Sequence, residues 1–504
     1  MTDYLTLTID SLMESSGVAF GTSGARGLAN KMTDKICYAY TSGFLQHLKT
    51  KVEFAPYTQV GIAGDLRPST PRIMRACARA IIDSGYIPVN CGYIPTPALA
   101  YWGISKNIPT VMVTGSHIPD DRNGIKFYTP CGEILKDDEV GIRKQQVNIP
   151  TDILDAEDNL IVVGIGSSLP IAISDAYNHY CQRYTNFFPH DALSGLNIAI
   201  YQHSSVASAV LHKVLSTLGA TVELFAHSEQ FIPVDTEALR PEDQKLAIDK
   251  AASGNYNCIV STDGDGDRPL IFDEQGQWLR GDTLGILTAH YLQAKTVVTP
   301  VNSNTALELS GWFYPIKRTQ IGSPYVIADM LKAKNSGYDL VVGYEANGGF
   351  LLGSKLTNHN SSMEPLITRD AVLVILSTLL LSRQLNLALS QLPTILPKRF
   401  TYSDSLKLEA RTIADALISK YLKPEAMQSG ALAKAIEPDF GPIISFNTVD
   451  GVRMLLKSGD ILHLRPSNNS PEFRVYTETN SLDGAKNMSN KALQLITNWS
   501  ETLK

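Results

Sequence analysis

Three times along the chain an unbroken apolar run ends in a short polar loop rich in glycine. Thr110-Val111-Met112-Val113 leads into Thr114-Gly115-Ser116-His117-Ile118-Pro119, and Cys258-Ile259-Val260 leads into Ser261-Thr262-Asp263-Gly264-Asp265-Gly266-Asp267-Arg268. Leu340-Val341-Val342 leads into Gly343-Tyr344-Glu345-Ala346-Asn347-Gly348-Gly349. Elsewhere apolar runs alternate with helical patterns. Gln59 to Ala63 reads as a strand, and Thr70-Pro71 opens a helix with an N-cap and a first-turn proline. Ile73, Cys77, Ala80 and Ile81 supply the buried stripe of that helix, and Gly85 follows its end. Such alternation specifies α/β layers around a mixed, mostly parallel sheet, in which ligands sit in crevices at the carboxyl ends of strands. The chemistry is therefore expected in the loops that follow the apolar runs.

A chain of 504 residues exceeds what one core supports and suggests about three or four domains. The recurring unit divides it into α/β domains over 1–160, 161–277 and 278–393, each with one of the loops. From about Lys398 the strands shorten and the order turns α+β, which gives a fourth domain over 394–504. The net charge of −6 offers no global basic field for nucleic acid or an anionic membrane, so any phosphate must be gripped locally. The N-terminus shows neither a basic segment nor an apolar one, and the longest apolar run, within Ala371 to Leu381, is too short for a bilayer. The six cysteines form no CxxC pair, which argues against a zinc site and a disulfide framework and for a reduced, cytoplasmic protein.

Asp263, Asp265 and Asp267, spaced by glycines that let the backbone curl, can point their oxygens at one hard cation such as magnesium. A calcium hand is excluded: its sixth position needs Gly where the chain has Arg268, and the flanks on both sides read as strands although Glu274 falls at the twelfth. A solvated acidic turn would need no ion, but three carboxylates packed beside an arginine repel one another without one. Ser116, displayed after a fully apolar strand, suits a nucleophile or phosphoryl carrier, or else a turn residue bonding its own backbone. An esterase elbow does not fit, because Ile118 replaces its second glycine. Asn123-Gly124-Ile125-Lys126 returns an ammonium towards the same loop, though Lys126 alone would read as a surface residue. Arg465, Ser467, Asn468, Asn469 and Arg474 form an anion cradle or a polar hairpin loop. Glu345 and Asn347 suit sugar hydroxyls or a capped turn. Phe20 to Gly27, with Thr22, Ser23 and Arg26, resembles a backbone nest with one fixed cation.

Together and in this order the loops resemble the α-D-phosphohexomutase superfamily, the phosphomannomutases and phosphoglucomutases, from Phe20 to Glu478. The family's FGTSGxRG opening is similar to Phe20 to Gly27, its TASHNP phosphoserine loop to Thr114 to Pro119, and its NGxK element to Asn123 to Lys126. Its DGDGDR metal loop is intact at Asp263 to Arg268; its GEMSGH-like sugar loop resembles Tyr344 to Gly349, and its RTSGTEP phosphate loop resembles Arg465 to Pro471. Ile118 stands where the family has Asn, Asn347 where Ser is common, and Gly349 where His is frequent. In the phosphate loop Pro466, Asn468, Asn469 and Ser470 replace Thr, Gly, Thr and Glu.

The resemblance implies three α/β domains and a C-terminal α+β domain around a central cleft, and a mutase that interconverts hexose 6-phosphate and hexose 1-phosphate. It implies a phosphorylated Ser116 beside Mg2+ held by Asp263, Asp265 and Asp267, with a phosphoryl oxygen of Ser116 completing the shell. Arg26 and Arg268 would add fixed positive charge, while His117 and Lys126 would move the hydroxyl proton. A hexose 1,6-bisphosphate would form and turn over. Thr22, Ser23 and the cradle of Arg465, Ser467, Asn468, Asn469 and Arg474 would bind phosphate, and Glu345 and Asn347 would read the 3- and 4-hydroxyls. Mannose is the expected sugar. Phosphoglucomutase and phosphoglucosamine mutase stay open, since Ala346 matches neither the Met of mannose/glucose enzymes nor the Gln of glucosamine ones. A sugar-phosphate phosphatase or binding protein is the alternative outside the mutases. The expected partners are small hexose phosphates, with no nucleic acid or membrane, for a monomer or homodimer.

Overall fold

The computed structural model describes residues 3–21, 24–52, 55, 57–161, 168–358, 361–408, 411–423, 428, 430–466 and 472–502. The chain forms two compact units, Met1–Ala294 with Gly322–Gln391 and Lys295–Ile321 with Leu392–Lys504.

In the first unit, the strands of the leading sheet run in the order Ala19–Phe20, Ala25–Leu28, Arg122–Thr129, Thr110–Val113, Gln59–Gly64 and Ile87–Tyr93. Thr110–Val113, Gln59–Gly64 and Ile87–Tyr93 are parallel, joined through helices Thr70–Asp83 and Thr96–Lys106. Arg122–Thr129 returns antiparallel, because the connection after Val113 is too short to carry a helical crossover. The same turn-back recurs in the next sheet. There Asn197–His203 is parallel to Thr221–His227 and Cys258–Thr262, and Pro269–Phe272 then runs antiparallel to Cys258–Thr262. Val341–Tyr344 pairs antiparallel with Phe350–Leu352 in the third case. The first two sheets are therefore mixed, and each of the three polar loops is a hairpin connection out of a fully buried strand. For the metal loop this removes the helices a calcium hand requires.

Helix Thr70–Asp83 buries Ile73, Cys77, Ala80 and Ile81 completely, as its periodicity predicts. Its start differs from the expectation. Ser69 takes the N-cap position with no side-chain cap, and the Thr70 hydroxyl donates to Asp65 Oδ1 at 2.8 Å instead. The same hydroxyl accepts from Asn123 Nδ2 at 3.1 Å, so it serves the buried network at the strand ends. Helix Ala371–Leu385 is apolar almost all round and buried accordingly; no single described helix is long and apolar enough to cross a membrane. All six cysteines are free, with only Cys131 exposed.

In the second unit, Thr296–Pro300 lies parallel to Ile316–Thr319. An antiparallel sheet follows in the order Phe400–Lys407, Glu472–Thr479, Ile461–Pro466, Val452–Leu456, Ile443–Asn447, packed under helix Leu482–Glu501 through Phe473, Val475, Ala492 and Ile496. This is the α+β arrangement expected for the last part of the chain.

Candidate active site

Ser116 sits in the left-handed region at φ 58°, a conformation that costs a non-glycine residue about 1 kcal/mol. A buried network holds it there. The Ser116 amide donates to Thr114 Oγ1 at 2.7 Å, and that hydroxyl donates to Asp65 Oδ2 at 2.7 Å. Arg67, 1 % exposed, pairs with Asp65 and donates to the carbonyls of Ser116, at 2.9 Å, and of Ile118. Its guanidinium lies 3.9 Å from the centre of the Phe231 ring. A Cβ at Gly115 would stand 2.8 Å from Arg67 Cζ, so the glycine leaves room for the clamp. Replacing Arg67 by Met strands Asp65 as an uncompensated buried charge; urea denaturation should show a loss of about 3–5 kcal/mol.

So placed, the Ser116 hydroxyl donates to Asp263 Oδ2 at 2.7 Å, and His117 Nδ1 lies 3.4 Å from Ser116 Oγ. Asp263 Oδ1 accepts the amides of Asp267 and Arg268, both at 3.2 Å, which curls the loop around it. Asp263, Asp265 and Asp267 are fully buried, and one oxygen from each lies within 4.8 Å of the others. Lys126, itself buried, donates to Asp265 Oδ2 at 2.6 Å and to Asp267 Oδ2 at 2.8 Å. Thr96 donates to Asp265 Oδ2 at 2.6 Å. The Oδ1 atoms of Asp265 and Asp267 have no hydrogen-bond partner among the described residues. Buried anionic oxygens left without donors are costly, and an oxygen-only set of this kind fits a hard divalent cation.

The electrostatics follow from that crowding. Burial, then repulsion from Asp265 and Asp267, holds the Asp263 carboxyl well above the usual carboxylate range. Burial also raises Asp265, but the Lys126 ammonium together with the Thr96 hydroxyl and Arg369 outweighs it and keeps that carboxyl low. Arg26 is half-buried in the strand Ala25–Leu28, opposite Gly124; burial, then Arg268 and Arg369, lowers its guanidinium to about 10. Arg268 Nε lies 3.9 Å from Asp263 Oδ2 and 3.8 Å from Asp267 Oδ1. Burial, then the charges of Arg268 and Arg26, pushes His117 well below its ordinary value, so the imidazole is neutral at pH 7 and able to accept a proton.

The loop after Val341–Tyr344 closes by Glu345 N to Gly349 O and Gly348 N to Glu345 O, both 2.9 Å. Asn347 Oδ1 accepts the Gly349 amide at 2.9 Å, so this oxygen is used by its own turn. Glu345 Oε2 accepts from Arg369 at 3.1 Å. In the second unit, Arg465 and Arg474 stand directly opposite each other on antiparallel strands. Arg465 pairs with Asp450 at 2.7 Å and Arg474 with Glu472 at 3.3 Å. Like charges facing each other across a ladder repel, and here each arginine has a carboxylate of its own beside it. Thr22, Ser23, Ser467, Asn468 and Asn469 lie outside the described residues.

Sequence reasoning passed over Asp65, Arg67, Thr96 and Arg369. Asp65 and Arg67 follow a fourth apolar run, Val60 to Ala63, and that position was their signal. Arg369-Asp370 immediately before an almost wholly apolar helix was a weaker one.

The models for domains I, II and III of phosphoglucomutase/phosphomannomutase match residues 17–150, 175–276 and 280–400. The chain is 39 % identical to a phosphomannomutase of Salmonella muenchen, covering 96 % of this chain and 97 % of that protein. It is 38 % identical to a phosphomannomutase of Sinorhizobium fredii, covering 95 % and 99 %. A crystal structure of a phosphoglucomutase/phosphomannomutase family protein from Burkholderia thailandensis shares the fold, with a TM-score of 0.69 over 95 % of this chain and 97 % of that one at 18 % identity. Hairpin loops built as described above, matched domain by domain and over nearly the full length of two relatives, admit one conclusion: the chain belongs to the phosphoglucomutase/phosphomannomutase family and is a phosphohexomutase.

Proposed function

We propose that this phosphohexomutase interconverts mannose 6-phosphate and mannose 1-phosphate, with Ser116 as the phosphoryl carrier and Asp263, Asp265 and Asp267 as ligands of Mg2+. The observation that carries the reading is the Ser116 hydroxyl 2.7 Å from a carboxylate of a buried acidic triad. The preference for mannose rests on relatives of nearly equal length that are phosphomannomutases. Six free cysteines suit a reducing cytoplasm.

Bound at the triad, Mg2+ would neutralise charge on the transferring phosphoryl group. The chain's own residues do the rest. Arg67 and Thr114 fix the loop so that Ser116 Oγ keeps one direction. The sugar hydroxyl attacks the phosphorus of phosphoserine; its new O–P bond forms as the Ser116 Oγ–P bond breaks. Neutral His117 takes the hydroxyl proton, a role Lys126 is less suited to because it is committed to two carboxylates. Arg26 and Arg268 supply fixed positive charge around the group in flight. The resulting hexose 1,6-bisphosphate returns its other phosphate to Ser116. Glu345 and Asn347 are assigned to the sugar hydroxyls. Thr22, Ser23, Arg465, Ser467, Asn468, Asn469 and Arg474 are assigned to the phosphate that is not reacting.

A coupled assay offering mannose 1-phosphate, glucose 1-phosphate and glucosamine 1-phosphate, with a trace of bisphosphate activator, tests the assignment. Mannose 1-phosphate should give a kcat/KM about tenfold or more above glucosamine 1-phosphate. A higher kcat/KM for glucose or glucosamine 1-phosphate overturns the mannose assignment.

A further inference from the structure

Arg369 joins two loops to which the proposed chemistry gives separate tasks. Its side chain is 3 % exposed, and the residue beside it, Asp370, fixes its backbone by accepting from the Leu373 amide at 3.1 Å and the Tyr180 hydroxyl at 2.9 Å. From that anchor Arg369 Nε donates to Asp267 Oδ2 at 2.9 Å. Nη1 donates to Glu345 Oε2 and to Ser323 Oγ, both at 3.1 Å. The Ser323 hydroxyl passes the contact on to Glu133 Oε1 at 3.0 Å. A planar fork that holds one carboxylate on each edge cannot turn towards one without loosening the other.

A second observation points the same way. A Cβ on Gly349 would lie 2.4 Å from Arg369 Cδ and 2.6 Å from Cγ. The space a side chain of the sugar loop would occupy is taken by Arg369, so the loop is built around this guanidinium.

We propose that Arg369 is a positioning residue that couples recognition of the sugar by Glu345 to cation binding at Asp267, an inference that rests on the mutase reading above. When Glu345 engages sugar hydroxyls, its pull on the guanidinium changes, and Asp267 Oδ2 feels the difference. By linkage, the cation and the sugar alter each other's affinity by the same factor.

Calorimetric titration of Mg2+ into the metal-free, full-length protein, with no sugar present, tests this. In Glu345→Gln the guanidinium keeps Asp267 as its directly bonded carboxylate and draws on it more strongly. Mg2+ should then bind about fivefold more weakly. Loss of a nearby negative charge acts in the same direction through space, so the same change is made in an Arg369→Lys background. There the charge is kept but cannot bridge both carboxylates, and the shift should fall below about twofold. Equal shifts in both backgrounds overturn the coupling. Gly349→Ala displaces Arg369 while leaving both carboxylates in place; with its hold on Asp267 loosened, Mg2+ should bind more tightly while KM for the hexose phosphate rises. A loss of thermal stability with unchanged Mg2+ affinity and KM would show a merely structural role. If the wild type isomerises no hexose phosphate while the Mg2+ shifts follow the expected pattern, the mutase reading fails and only the link from Glu345 to the cation site through Arg369 stands. An active wild type with equal shifts gives the reverse.

Discussion

Ser116→Ala and Ser116→Gly should both lose mutase turnover by about 10⁴-fold or more, yet differ in stability in an unusual order. Either change removes the oxygen that carries phosphate and the 2.7 Å contact with Asp263, so both should fail to take up label from hexose 1,6-bisphosphate. The backbone distinguishes them. At φ 58° a Cβ crowds the following carbonyl, and glycine escapes that cost of about 1 kcal/mol. Glycine normally destabilises relative to alanine; here Ser116→Gly should be the more stable of the two in urea denaturation. Turnover near wild type in either variant refutes the nucleophile assignment. Alanine being the more stable would show that the Arg67 clamp, and not local strain, sets the energy of the loop.

What could be read in the sequence was whatever one local pattern determines. Val111 to Val113 and Cys258 to Val260 are apolar on every position, so only strands buried on both faces suit them. Asp263, Asp265 and Asp267 share one loop, and their glycine spacing alone brings the oxygens together. Arg67 and Arg369 were illegible for the opposite reason. Each meets its partners only after folding: Arg67 reaches the carbonyl of Ser116 and Arg369 reaches Asp267, far along the chain in both cases. Thr70 was assigned as a helix cap because cap chemistry is local, while the Asp65 carboxylate that claims its hydroxyl is presented by a separate strand end. The antiparallel return after each loop follows from loop length, a local quantity. Proton roles needed the third dimension, since Lys126 in sequence is one lysine among many and in space is clasped by two buried carboxylates.

That clasp makes Lys126→Met the most informative change in the triad. Lys126 holds Asp265 Oδ2 and Asp267 Oδ2 at 2.6 and 2.8 Å, while the Oδ1 atoms of the same two residues lack hydrogen-bond partners among the described residues. The ammonium and a cation at the proposed site would thus share one acidic cluster from its two sides. Methionine keeps most of the buried volume and removes the charge. Without metal, the variant should lose about 3–5 kcal/mol, the cost of leaving one side of a buried ion pair uncompensated. Mg2+ then becomes the main neutralising charge left to the cluster beside Arg268 and Arg369. Its affinity should rise and its binding to the folded state should restore part of the loss through mass action. Thermal melts in chelator and in excess MgCl2 should therefore show a larger upward shift for Lys126→Met than for the wild type. Turnover should still fall by about 10²-fold even at saturating Mg2+, because Asp265 and Asp267 are no longer aimed by a fixed donor. Equal Mg2+ shifts in the two proteins would mean that Lys126 and the cation do not share the cluster, and the assignment of the triad to Mg2+ would lose its electrostatic basis.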